Sequence, residues 1–171
     1  MSKQKWIGTN IESLMDTLSS KDGATREKAR RSLVALGKPA VSPLIQTLRN
    51  SSVAHVRWEA VKALGAIGDS RTITVLVKAL EDSDPDVAWL AAEGLRKFKR
   101  IAWPPLLRAL IKGGPDTVVL REGAHRVLRN QRDAEFSELL ADLRKALEST
   151  TTPNAARVSA YAILERMKAE A

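Results

Sequence analysis

The sequence predicts an all-α fold, an α-solenoid of about five helix pairs in a single domain spanning residues 1–171. Three observations predict it: one amphipathic pattern recurs five times, a second helical pattern alternates with it, and turn residues punctuate the two.

In the first pair, residues 9–37, Ile11, Leu14, Met15 and Leu18 mark one helix, Ser20 to Gly23 the turn, and Ala29 with Leu33 the second helix. The i, i+3, i+4, i+7 spacing is the stripe of an amphipathic helix. The second pair, 39–68, opens after Gly37-Lys-Pro39 and repeats the stripe at Val41, Leu44, Ile45 and Leu48. Asn50 to Ser52 breaks it, and Val56-Arg-Trp-Glu-Ala60 with Leu64 forms the second helix. The third pair, 70–100, places the stripe at Ile73, Leu76, Val77 and Leu80. Its turn is Asp82-Ser-Asp-Pro85 and its second helix Val87-Ala-Trp-Leu-Ala91 with Leu95.

The fourth pair, 102–131, starts at Trp103-Pro-Pro105, because proline is tolerated in a first helical turn. Trp103, Leu106, Leu107 and Leu110 carry its stripe, Gly113 to Asp116 its turn, and Leu120, Ala124 and Leu128 its second helix. The fifth pair, 134–168, has Phe136, Leu139, Leu140 and Leu143, a turn from Ser149 to Pro153, and Ala156, Ala160 and Leu164. The last stripe leucines, Leu18, Leu48, Leu80, Leu110 and Leu143, stand 30, 32, 30 and 33 residues apart, room for two helices and two tight turns.

Composition bounds the chemistry. Apolar residues are 44% of the chain and aromatics only 4%, so the core is aliphatic. With no cysteine and two histidines, thiolate metal sites, disulfides and cysteine nucleophiles are excluded, and no metal or cofactor is expected. No run approaches a signal peptide or a transmembrane helix, which makes a cytoplasmic protein without a membrane role the simplest reading. Lys and Arg number 28 against 20 Asp and Glu, a net +8. Between Gly94 and Arg132 the balance is steeper: Arg96, Lys97, Lys99, Arg100, Arg108, Lys112, Arg121, Arg126, Arg129 and Arg132 face only Asp116 and Glu122. A basic face therefore belongs to the third and fourth pairs.

Residues 53–87, VAHVRWEAVKALGAIGDSRTITVLVKALEDSDPDV, resemble the short HEAT-like repeat of the phycobilisome-lyase type. The features in common are Val-Arg, paired small residues, Ala-Leu-Gly, a Gly-Asp turn, a Leu-rich helix and an acidic turn. Elsewhere the pattern drifts: Ala88 stands for the arginine, and Val34, Arg96, Arg129 and Glu165 for the glycine. The resemblance implies a right-handed α-α superhelix whose Val-Arg helices line a concave face. Carried over by register, it places on that face Glu27, Lys28 and Arg31; His55, Trp58, Glu59 and Lys62; Asp86, Trp89, Leu90, Glu93 and Lys97; Val119, Glu122 and Arg126; and Ser159.

Trp58 and Trp89 share one register in adjacent pairs, so they are expected side by side in the groove, and aromatic residues are favoured interface anchors. The favoured function is a non-enzymatic scaffold binding a protein partner. Its expected contact set is Trp58, Trp89 and Leu90 at the centre, with Glu59, Lys62, Glu93, Lys97, Lys28, Arg31 and Arg126 around them. Arg26, Arg57, Arg121 and Arg157 recur at another register, where a planar donor fork can bridge repeats through the turn carboxylates Asp22, Asp82, Asp84 and Asp116 or through carbonyls. The alternative function is nucleic-acid binding through the basic face. At its far end lies base excision by a HEAT-like glycosylase, suggested only by the i, i+4 pair Trp89 and Glu93. His55 and His125 have no metal-ligand or nucleophile spacing and read as solvated or packed side chains. The chain is expected to be a monomer or a homodimer, and if it pairs, to pair through its C-terminal end, where the last helix carries Tyr161 and Ile163.

Overall fold

The computed structural model describes residues 3–113, 118–149 and 153–170, with side chains from Asn10 onward. Asp116 and the inner parts of the turns after residues 113 and 149 lie outside the described residues. Among those described the chain is helical throughout: α1 (Lys3–Thr17), α2 (Gly23–Leu36), α3 (Lys38–Asn50), α4 (Ala54–Ile67), α5 (Ile73–Ala79), α6 (Pro85–Arg96), α7 (Trp103–Lys112), α8 (Val118–Leu128), α9 (Ser137–Glu148) and α10 (Pro153–Ala169). Short 3-10 turns, Ser70–Thr72 and Lys99–Ala102, lead into α5 and α7. Helix α1 begins at Lys3, ahead of the position near residue 9 where its apolar stripe starts.

The caps follow from short polar side chains that accept hydrogen bonds from the free amides of a first turn. The Asp22 carboxylate accepts from the Thr25 amide at 2.8 Å and starts α2. Asp84 accepts from the amides of Asp86 and Val87, and Pro85 follows it at the head of α6. Trp103-Pro-Pro105 opens α7.

The recurrent stripe forms the core. Leu18, Leu44, Leu76, Leu106 and Leu140 are buried, as are Ala29, Ala60, Ala91, Ala124 and Ala160 from the alternating helices. The buried aromatics are Phe98, Trp103 and Phe136, the last two packed edge to face with ring centroids 5.8 Å apart.

Two layers result. Helices α2, α4, α6 and α8 pack in succession against one another, while α1, α3, α5 and α7 touch one another more sparsely. Helices α4 and α6 approach closely: a Cβ on Gly65 would lie 3.1 Å from the Gly94 Cα. Closer spacing in one layer bends the array toward it, so α2, α4, α6 and α8 lie on the inner side.

The fifth pair departs from this order. Helix α9 packs on α8, and α10 packs on α7 and α9, so α10 crosses back over the outer layer instead of continuing the inner one. Arg100 anchors that return by pairing with Glu170 near the end of α10 and with Glu135 at 2.8 Å, its guanidinium 4.4 Å from the Phe136 ring centre.

Candidate functional site

The inner helices carry the candidate residues to different fates. Trp89 on α6 is 49% exposed, whereas Trp58 on α4 is half-buried against the core. The Lys62 ammonium lies 4.3 Å above the Trp58 ring and the Arg30 guanidinium 5.7 Å from it. Among the described residues the two indoles form no ring–ring contact, and cations already cover Trp58. Equal register in adjacent pairs does not bring them into contact.

Glu59 corrects the expected contact set. It is only 3% exposed. Its carboxylate accepts a hydrogen bond from Arg30 at 2.7 Å and stands 3.4 Å from Arg26 Nε. The register after Trp58 turns back toward α2, whose two arginines require a counter-ion, so Glu59 closes a seam between pairs and offers nothing to a partner. Leu90, at the same register on α6, is half-buried against the core. Lys97 donates to the carbonyl of Gly65 at 3.1 Å, a bond to the C-terminal end of α4. Glu93 is held by Arg96 at 2.8 Å and Arg31 by Glu27 at 2.6 Å, while Lys28 is exposed.

The open part of the inner face lies farther along, on α6 and α8. Trp89, Asp86, Val119, Glu122 and Arg126 line one groove between these helices. On its other side α8 lines a second groove with α9, where Val118, Arg126 and Arg129 face Leu147 and a 2.9 Å contact between His125 and Glu148. Val118 and Val119 are 59% and 50% exposed, and Val119 shares its groove with the exposed Trp89. Past the end of α8 the surface continues through Arg129, Arg132 and Arg144. Arg129 and Arg132 belong to the basic run seen in the sequence. Arg144 does not, because it reaches this surface only through the changed placement of α9.

The recurrent arginines make these contacts. Arg57 grips the Asp82 carboxylate with two bonds, 2.8 and 2.7 Å, and reaches the carbonyl of Ser51. Burial works to raise the Asp82 carboxyl, but the Arg57 bonds and the Asp84 amide outweigh it and hold it below its ordinary 3.8. Arg26 donates to the carbonyls of Ser20 and Lys21. Arg121 donates to those of Ala146, Leu147 and Ser149 at the end of α9. Arg157 is exposed and has no such partner among the described residues. Asp22 and Asp84 serve as helix caps and, among the described residues, form no arginine bridge.

Successive two-helix units with a closely packed inner layer and arginine-bridged seams define an α-solenoid repeat protein. The family model of HEAT repeats matches residues 11–96 and 41–127, most of the chain, and the protein belongs to that family. The match is to HEAT repeats in general and does not select the phycobilisome-lyase form. No curated protein matches the chain. Among the described residues no helix is long and apolar enough to cross a membrane, and no three His, Cys, Asp or Glu side chains gather as a metal site.

Proposed function

We propose that the chain is a non-enzymatic scaffold that holds a protein partner against its inner helical layer, with the contact centred on α6 and α8. HEAT repeats commonly serve as protein-interaction scaffolds. The observation that carries the reading is Trp89, half-exposed in a groove beside Arg126 and the exposed Val119, whereas Trp58 and Trp103 are packed against the core. A wet-edged aromatic among apolar and charged neighbours is the anatomy of an interface anchor. The centre thus moves from the Trp58 and Trp89 pair to Trp89 alone, with Lys28, Arg31 and Lys62 outlying. Arg26, Arg57 and Arg121 hold the repeats together in this reading, whereas Arg157 is exposed and makes no such bond among the described residues.

The test is affinity capture with wild type and Trp89→Ala, after far-UV circular dichroism shows equal helicity. Protein partners present with wild type are lost or depleted at least about tenfold with Trp89→Ala. Equal recovery by both proteins would remove the groove from the reading.

The second reading, nucleic-acid binding, is favoured by the gathering of Arg129, Arg132 and Arg144 beyond α8. It calls for duplex or single-strand affinity that falls steeply as salt rises. Base excision has no observation of its own, since Arg96 occupies the Glu93 carboxylate.

A further inference from the structure

We infer that the partner segment is a peptide in which an apolar side chain is followed by acidic residues. It lies along α8 with its apolar end on Trp89 and Val119 and its carboxylates on Arg126, Arg129 and Arg132. This rests on the scaffold reading above and specifies the partner.

Charge is graded along α8 and past its end, with Glu148, paired to His125, and Asp133, near Arg100, the acidic groups beside the basic end. At the Trp89 end stand Asp86 and Glu122, both exposed. Glu122 and Arg126, four residues apart, lie on one face of α8, and Arg129 follows just past its last residue, so the line runs from acidic to basic. Arg132 and Arg144 extend the basic end beyond the helix.

The basic groups are also uncommitted. Arg26, Arg30, Arg57, Arg96 and Arg100 all have carboxylate partners. Among the described residues, Arg126, Arg129 and Arg132 have none, and Arg144 makes a single 3.4 Å bond to the carbonyl of Gln131. Favourable placement near the C-terminal end of the α8 dipole explains Arg126 and Arg129 in part. It does not explain Arg132, four residues past the end of α8, or Arg144, which stands on α9.

Geometry sets the spacing of the ligand. Val119 and Arg129 are ten residues apart, about 15 Å along a helical rise, which an extended peptide covers in about five residues. A polyanion fits less well than such a peptide. A phosphate backbone crossing Trp89 would meet Asp86 and Glu122, and the exposed Val118 and Val119 offer it neither charge nor a stacking face.

The probe is a fluorescein-labelled peptide of about ten residues, with adjacent Leu and Phe, a short Gly-Ser spacer and a run of Glu. Controls are the same peptide in reverse order, a version with Lys for Glu, and a labelled thymidine oligonucleotide of similar length. Fluorescence anisotropy is measured on the full chain, on Trp89→Ala, and on the double variant Arg129→Glu with Arg132→Glu. If the double variant loses helicity, Arg129→Gln with Arg132→Gln replaces it.

The glutamate probe binds wild type at least about tenfold more tightly than the lysine probe, and each variant weakens it by at least about tenfold. The reversed peptide binds less well, and charge reversal of the two arginines transfers preference to the lysine probe. The inference is wrong if the glutamate and lysine probes bind alike, if no peptide binds, or if the oligonucleotide binds more tightly than the glutamate peptide. The two proposals fail separately. Captured proteins that persist with Trp89→Ala remove the groove from the scaffold reading, whereas partners that need Trp89 but ignore reversal at Arg129 and Arg132 sink only the acidic segment.

Discussion

Replacing Glu59 with Ala removes the one carboxylate that serves two arginines at the seam between the first and second pairs. The Glu59 side chain is 4% exposed, and the Arg30 and Arg26 side chains are 11% and 21% exposed. Loss of the 2.7 Å bond from Arg30 forfeits a charged hydrogen bond, about 1.5–3 kcal/mol. It also leaves a nearly buried guanidinium whose other carboxylate, Glu27, stands 3.9 Å away. Breaking a buried pair by removing one partner costs about 3–5 kcal/mol. Arg26 keeps its bonds to the carbonyls of Ser20 and Lys21, so the lower end of that range applies and Glu59→Ala destabilises by about 3 kcal/mol. Glu59→Gln retains the shape and one acceptor but not the charge, and loses roughly half as much.

Urea unfolding followed by circular dichroism and by tryptophan fluorescence measures this, the second probe sensing Trp58 beneath Arg30 and Lys62. Coincident transitions are required before a free energy is taken, because repeat arrays can unfold in parts. A cycle of Arg30→Ala, Glu59→Ala and both together gives a coupling of about 2 kcal/mol. A loss below about 1 kcal/mol for Glu59→Ala would show that the seam is solvated and return Glu59 to the surface.

Gly65→Ala lowers stability by about 1 kcal/mol, since a Cβ 3.1 Å from the backbone of Gly94 forces α4 and α6 apart and outweighs the gain in helix propensity. Gly94→Ala raises it by about 0.5 kcal/mol, because that Cβ meets Gly65 and Leu76 at an ordinary 3.4 Å; urea midpoints that rank the two alike would contradict the close crossing. The Asp69 carboxyl, held to about 2 by the Arg71 side chain and amide, contributes stability that is present above the unfolded value of 3.8 and fades as pH falls toward 2. Thermal midpoints therefore decline less steeply across that interval in Asp69→Asn, and parallel curves would refute the assignment. Lys99 holds φ at 49°, so Lys99→Gly raises stability by about 0.5 kcal/mol and Lys99→Val lowers it by about 1 kcal/mol, read from the same melts.

The stripe from Ile11 to Leu143 was legible because burial of a helix face leaves a 3.6-residue period in the sequence. The same period cannot say which neighbour a buried polar group meets. Glu59 reads as a surface acid between Trp58 and Ala60, and only the proximity of Arg26 and Arg30, some 30 residues earlier, turns it into a counter-ion. Trp58 and Trp89 have equal register but unequal surroundings for a related reason: the cations over Trp58 are Arg30 and Lys62, while the side chains sharing the Trp89 groove include Asp86, Val119 and Arg126. Register predicts a direction from the helix axis. Exposure depends on the side chains that the next helix supplies.

The altered course of the fifth pair traces to the turn before it. Gly37 and Gly68 end the second helices of the first two pairs at φ of 68° and 69°. Lys99, one repeat beyond Gly68, also takes a positive φ, 49°, despite its Cβ. The corresponding position after α8 is Arg132, which has no positive φ among the described residues. The chain leaves α8 without a positive-φ residue among those described, and there α9 packs beside α8 while α10 returns over α7. Two features of the open surface then share one origin. Arg132 is free of the strained turn geometry, and Arg144 is delivered to its side by the displaced α9. The turn that ends the regular array is thus the element that assembles the basic end of the groove.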